Sequence, residues 1–185
     1  MHCPQCKGYR LEPKLLEPDL LAASCKKCGG ALLSLLNYRH WSEHHSAVHE
    51  VEKVEGLRVE SGGDEVDDNH TAQLCPKCGR MMTKFRIGLE NNNRIDLCSG
   101  CDEAWLDNGE WRLLKQLELH EKLPKIFTDE WQRNIRQQRQ QQLVKSKYIA
   151  LFGDEDFSKV DEFKNWLDQH PDKAEIKQYL IINYD

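Results

Sequence analysis

The feature that most constrains this chain is a set of four C-x-x-C pairs: Cys3 and Cys6, Cys25 and Cys28, Cys75 and Cys78, Cys98 and Cys101. Two residues between thiols permit a tight knuckle that turns both sulfurs toward one ion. Two knuckles then complete a tetrahedron with sulfurs about 2.3 Å from zinc. Eighteen residues separate the first two pairs and nineteen the last two, the spacing of a four-thiolate zinc site. The second set follows the first by 72 or 73 residues, and "CPQCKG" is answered by "CPKCGR". The pattern predicts a duplicated module holding two structural Zn2+ ions. A site closed by four thiolates keeps no open coordination position, which argues against metal catalysis.

Composition agrees with a metal-stapled chain. Of the 185 residues 39% are apolar and 31% charged, so a single large core would be thin and small modules need a further source of stability. No run reaches the roughly 18 apolar residues of a membrane span. The start, Met1-His2-Cys3-Pro4-Gln5-Cys6, shows no basic region followed by an apolar stretch. A soluble, cytoplasmic protein is therefore expected, and in a reducing compartment paired cysteines serve metals more often than disulfides. Redox chemistry of the thioredoxin kind is disfavoured because no βαβ pattern surrounds any pair.

Between knuckles the chain must return, and a β-hairpin does that. In the second module Phe85 and Ile87 alternate on one face, "GLENNN" supplies turn residues, and Arg94 to Leu97 alternates back. In the first module Pro13 and Pro18 predict a bent hairpin. Lys7, Lys26, Lys27, Lys77 and Arg80 lie in or beside the knuckles, placed either to donate hydrogen bonds to thiolates or simply to be solvated.

The run "LCPKCGRMM" followed by "RIDLCSGCDEAWLDNGEW", within residues 74–114, resembles the bacterial transcription-factor-IIB-type zinc ribbon family, whose modules read C-P-x-C through I-D-x-C-x-x-C to W-L-D-x-G-E. The first half looks like a divergent copy that keeps four cysteines and Gly29-Gly30 but has Leu32-Leu33-Ser34 in place of Trp105-Leu106-Asp107. The second copy carries Asp102-Glu103 where the family usually has glycine. The resemblance implies a zinc-binding fold with Trp105, Leu106, Asp107, Gly109 and Glu110 as its structural motif; for most of the family no activity is established.

Asp107 reads as an N-cap with Glu110 completing a reciprocal cap, ahead of a helix with Trp111, Leu114 and Leu117 along one side. Trp105 and Leu106 are expected between ribbon and helix. The four carboxylates Asp102, Glu103, Asp107 and Glu110 read as caps and surface, not as catalysts. Transcript-cleavage factors carry an acidic pair at the hairpin tip, whereas this tip has Glu90 alone.

After the first module, His40 and His44, and His45 and His49, stand at i and i+4, where each pair shares a helix face. They read either as a polar helix or as a further metal site. Residues 50–73 hold eight acidic and two basic residues around Ser61-Gly62-Gly63, the composition of a flexible linker, with His70 a solvated member. Pro124 is expected to end the helix after the second module, and Thr128-Asp129-Glu130 to start another. From Trp131 to Gly153 there are five basic residues, Arg133, Arg136, Arg139, Lys145 and Lys147, and no acidic one. Such a helix suits phosphates or an acidic protein, or is a solvated connector. In the tail, Val160, Phe163, Trp166 and Leu167 form one stripe, and Ile176, Tyr179 and Leu180 another, across a break at His170-Pro171. A helical hairpin is expected, joined by Val144, Tyr148, Leu151 and Phe152.

The sequence thus predicts α+β zinc-stabilised modules: a ribbon with a His-rich helix over 1–49, a linker over 50–73, a ribbon with a helix over 74–122, a basic helix over 123–153 and an acidic helical hairpin over 154–185. With no nucleophile and base arrangement in view, the expected function is a non-enzymatic adaptor that docks on RNA polymerase, the ribosome or nucleic acid. The alternatives are a metalloenzyme or zinc-handling protein using His40, His44, His45 and His49, and an assembly protein oligomerising through its C-terminal helices.

Overall fold

The computed structural model describes residues 1–45, 71–89 and 91–182. The calls on the acidic linker, His49, His70 and Glu90 lie outside the described residues. In chain order the elements are β1 (Glu12–Glu17), β2 (Leu20–Ser24), β3 (Ala31–Ser34), α1 (Leu35–His45), β4 (Thr83–Arg86), β5 (Arg94–Cys98), β6 (Glu103–Leu106), α2 (Glu110–Gln116), α3 (Leu123–Ile126), α4 (Asp129–Gln169) and α5 (Lys173–Ile181). Met1–Arg136 is one compact unit and Gln137–Asp185 a second. Among the described residues no helix is long and apolar enough to cross a membrane.

Each module folds its two knuckles onto an antiparallel strand pair, β1 with β2 and β4 with β5. The first pair carries the expected irregularity: its register shifts between Leu15 and Glu17, between the two prolines. A third strand leaves the second knuckle of each module, β3 in one and β6 in the other. These two pair antiparallel, so all strands form one sheet of order β1-β2-β3-β6-β5-β4.

The order has a pseudo-twofold. Residues 73 apart are equivalent, as Cys25 and Cys98 are, so Ala31 and Leu33 correspond to Ala104 and Leu106. In the sheet Ala31 pairs with Leu106 and Leu33 with Ala104, while Leu32 faces its own equivalent, Trp105. This reciprocity is that of an isologous dimer interface, here built within one chain.

Alternation along the strands sorts side chains to two faces. On one, Leu20, Ala22, Ala31, Leu33, Ile95, Ala104 and Leu106 pack with Tyr38 and Trp41 of α1, Trp111, Leu113 and Leu114 of α2, and Leu123 and Ile126 of α3. On the other, Leu11, Leu32, Met82 and Trp105 pack with Cys3, Cys25, Cys75 and Cys98. Tyr38 ties the helical layer together by donating to His120 O at 2.8 Å and accepting from Leu123 N at 3.1 Å. Its burial pushes the phenol up to about 12, so it stays neutral. Within the sheet, the wholly buried Asp96 accepts from its cross-strand partner Lys84 at 2.7 Å.

Some expectations fail for local reasons. α2 stops at Gln116, and Pro124 opens α3 instead of ending a helix, because proline's missing N–H costs nothing in a first turn. Thr128 does start α4, its Oγ1 accepting from Trp131 N at 3.3 Å. Gln132 has its amide clamped onto the outer edge of β4: Nε2 donates to Arg86 O at 3.0 Å and Oε1 accepts from Arg86 N at 3.2 Å.

In the second unit α4 is non-helical at Gly153, with φ 84° and ψ 163°, a conformation only glycine adopts freely. The tail stripes are not covered: Val160, Phe163, Trp166, Tyr179 and Leu180 are exposed, and of the apolar side chains in 137–182 only Leu167 is buried. The nine residues of α5 carry the second stripe themselves and leave the first open.

Gly30 lies against the ring of Trp105, which is wholly buried; a Cβ there would collide with the indole. Gly30→Ala is expected to lower unfolding free energy by about 1–3 kcal/mol, the cost of overpacking a filled core, read as a lower urea midpoint at unchanged m-value.

Candidate metal centres

The eight cysteines gather into two groups of four, Cys3, Cys6, Cys25 and Cys28, and Cys75, Cys78, Cys98 and Cys101, with the sulfurs of each group all within 4.8 Å of one another. Cys3 and Cys28, and Cys78 and Cys98, have sulfurs 3.6 Å apart, far beyond the ~2.05 Å of a disulfide. All eight are free thiols. A tetrahedron with 2.3 Å arms has edges of about 3.8 Å, so each group fits one metal ion without rearrangement.

Backbone geometry makes the knuckles. The carbonyls of Cys25, Cys75 and Cys98 each accept from the amide four residues on, at Gly29, Gly79 and Asp102. Each of these residues sits at positive φ, 75°, 74° and 57°, as does Lys7 after Cys6 at 33°. Gly29 and Gly79 are there because the turn needs a left-handed residue. Asp102 fills the same position, and its carboxylate is held by Arg39 of α1 at 2.7 Å.

Protonation shows why a cation belongs here. Burial pushes the Cys25 thiol up, but the amide hydrogens of Cys28 and Lys27 outweigh it and hold Cys25 at about 7. The Arg80 amide, then the Cys101 thiol, bring Cys78 to about 7. With that charge in place its neighbours resist ionising: Cys101 is pushed up to about 12, first by Cys78 and then by burial, and Cys28 is raised by burial and by the surrounding sulfurs. Four thiolates need a dication to displace the remaining protons.

The donors to sulfur are backbone amides, Cys6 N on Cys3 at 3.3 Å and Lys77 N on Cys75 at 3.4 Å. The lysine side chains near the knuckles serve elsewhere: Lys77 bonds Glu103 at 2.8 Å, Lys26 pairs with Glu12 at 2.5 Å, and Lys27 lies 4.8 Å above the Tyr9 ring. The Arg80 guanidinium packs on Gly100.

Not all the carboxylates after Cys101 are surface groups. Glu103 in β6, Asp107 just after it and Glu110 at the start of α2 are 5%, 4% and 0% exposed; the Asp102 side chain, 46% exposed, stays at the surface as expected. Asp107 does not cap α2. The N-cap is Gly109 at φ 85°, and the Asp107 carboxylate turns back toward the metal face, where Oδ1 accepts from Trp105 Nε1 at 2.9 Å and Gln5 Nε2 at 2.6 Å. Half of the expected reciprocal cap survives, Glu110 Oε2 accepting from Asp107 N at 2.8 Å. Gln5 sits between the two cysteines of the first knuckle. Trp105 and Asp107 therefore reach from one module's third strand to the other module's knuckle, a role that residue type alone does not reveal. Gly29 carries a trace of it: a Cβ there would stand 2.6 Å from Asn108 Oδ1.

The rings of His40 and His44 lie with centroids 4.4 Å apart and tilted by 56°, but His44 Nδ1 is bonded to His40 O at 2.7 Å and His45 Nδ1 to Trp41 O at 2.9 Å. His45 also stacks on Trp41 at 5.3 Å. Among the described residues, only the two cysteine groups bring three or more His, Cys, Asp or Glu ligands together. Arg133, Arg136, Lys145 and Lys147 are exposed and Arg139 half-buried. The chain matches no known family pattern, no curated protein and no solved structure.

Asp107→Ala would strand the buried Trp105 N–H and release Gln5. A loss of about 1–3 kcal/mol is expected. In a double-mutant cycle with Gln5→Ala the two losses should fail to add, checked by chemical denaturation of the metal-loaded protein.

Proposed function

We propose that this chain is a non-enzymatic, zinc-binding adaptor: two four-cysteine zinc ribbons fused into one rigid body, which docks on a nucleoprotein machine of the RNA polymerase or ribosome kind. The zinc assignment rests on the donor set. Four sulfurs in a tetrahedron suit zinc or an iron–sulfur centre, and single ions held by hairpin knuckles are zinc's habit. Both quartets are complete donor sets, so the ions build structure and leave substrate no coordination position. The similarity of residues 74–114 to transcription-factor-IIB-type ribbons supports the same reading.

The observation that carries the docking half is the helix over 131–153, with five basic and no acidic residues and an exposed Arg133 and Arg136. Basic helical residues bind a phosphate backbone, and each contact releases counterions, so binding weakens steeply with salt.

Elemental analysis of the purified chain should give two zinc ions and no iron. A strong chelator should remove both, with cooperative loss of structure. A colourless protein with one ion, or an iron-dependent absorbance, would sink the assignment.

For the partner, tagged protein is passed through native lysate with and without nuclease. Recovery of polymerase or ribosomal proteins is expected, and Arg133→Glu with Arg136→Glu should reduce it. Titrated against purified nucleic acid, the double variant should lower the slope of log K on log salt by up to about 1.8 for a duplex, roughly 0.9 for each lost phosphate contact. Recovery of neither class of protein would refute the adaptor reading.

A further inference from the structure

We infer that two copies of the chain associate through the second unit, residues 143–152 of one copy lying antiparallel on residues 154–167 of the other. This does not depend on the adaptor reading, because it concerns the purified chain alone.

The first observation is apolar surface without cover. Val144, Tyr148 and Leu151 recur at i, i+4 and i+7, one face of a helix, and are 43%, 43% and 67% exposed. Beyond Gly153, Val160, Phe163 and Trp166 recur at i, i+3 and i+6 and are 53%, 41% and 51% exposed. A body this small with a single buried apolar residue has no core of its own and needs association to hold it. The rings of Tyr148, Phe152, Phe163 and Trp166 each carry about 150–250 Å² and are roughly half open; with three aliphatic chains they supply most of the ~800 Å² per partner of a standard interface.

The corner at Gly153 is closed within the chain: Phe152 stacks on Phe157 at 6.2 Å, and Lys145 Nζ lies 5.5 Å from the same ring. The stripes on either side stay open nonetheless, so one chain does not satisfy itself.

Charge selects the occupant. Residues 137–153 contain three basic and no acidic side chains, and residues 154–169 contain six acidic and two basic ones. Lys159 is engaged by Glu155 at 2.8 Å and Asp156 at 3.2 Å, and the stretch keeps a net charge of −4. A basic apolar face and an acidic apolar face on one chain are complementary to the same two faces on a copy turned end for end. Lys145 and Asp161 are equidistant from Gly153 along the sequence, so an antiparallel pair centred there sets each lysine beside the other copy's aspartate. A parallel pair would set like charges together. Every contact made one way is repeated the other way, which closes the assembly at two.

The test is sedimentation equilibrium of the full metal-loaded chain up to about 100 µM, where mass action favours association. A mass twice 21.7 kDa is expected. Val144→Asp with Phe163→Asp should return it to 21.7 kDa with unchanged metal content, since both side chains are exposed. Lys145→Glu, and separately Asp161→Lys, should each weaken the dimer at least tenfold. Mixed together, these two variants should restore it as a heterodimer. A monomer throughout would overturn the inference, and so would a dimer untouched by the apolar double variant or oligomers beyond two. Failure of the mixture to recover would overturn the antiparallel register. None of these readouts involves nucleic acid or lysate, so the adaptor reading stands or falls separately.

Discussion

The pairing of β3 with β6 is the constraint on which the rest of this protein depends. A lone four-cysteine hairpin has two strands, one ion and little to bury. Adding a third strand after the second knuckle, and pairing it with its own counterpart, turns two such pieces into a six-stranded sheet. That sheet has one face for helices and another for metal. Leu32 and Trp105 stand opposite each other where the two halves meet, so the largest buried side chain fills the place where both knuckle sets converge. Burial fraction rises with size, and fusing the halves gives each what it could not build alone.

The same sheet gives the acidic run after Cys101 its partners. A cluster of four carboxylates invites a catalytic reading, but each is committed: Asp102 to Arg39, Glu103 to Lys77, Asp107 to Trp105 and Gln5, Glu110 to the Asp107 amide. These contacts join helix to knuckle and module to module. Burying a carboxylate is costly unless it is hydrogen-bonded, so the three buried ones, Glu103, Asp107 and Glu110, tolerate little change.

The sequence made the ligand groups legible because thiol spacing is a geometric statement: two residues between cysteines dictate a knuckle wherever it stands. The antiparallel strand pairs and the helix starting after Thr128 followed from alternation and capping chemistry, which are local. What was not legible is what depends on partners distant in sequence. Nothing in "WLDNGE" says that its tryptophan will lie on Gly30, or that its aspartate will leave the helix it precedes for a glutamine 102 residues away. Gln132 carries no signature in the sequence, because its partner is a backbone edge. The tail misled in the opposite direction. Its stripes have helical spacing, as a packed hairpin would, yet the complementary surface is missing from the described residues.

The Gln132 clamp also bears on solubility. An open sheet presents two edges, and a strand that offers unpaired amides and carbonyls is a template for further strands. Were both edges bare, copies could add at either side and stacking would have no natural end. Here the side-chain amide of Gln132 occupies the outward backbone groups of Arg86 as an added strand would, leaving β1 as the less guarded side. A strand arriving at that end of β4 would have to displace the Gln132 amide before it could pair with Arg86.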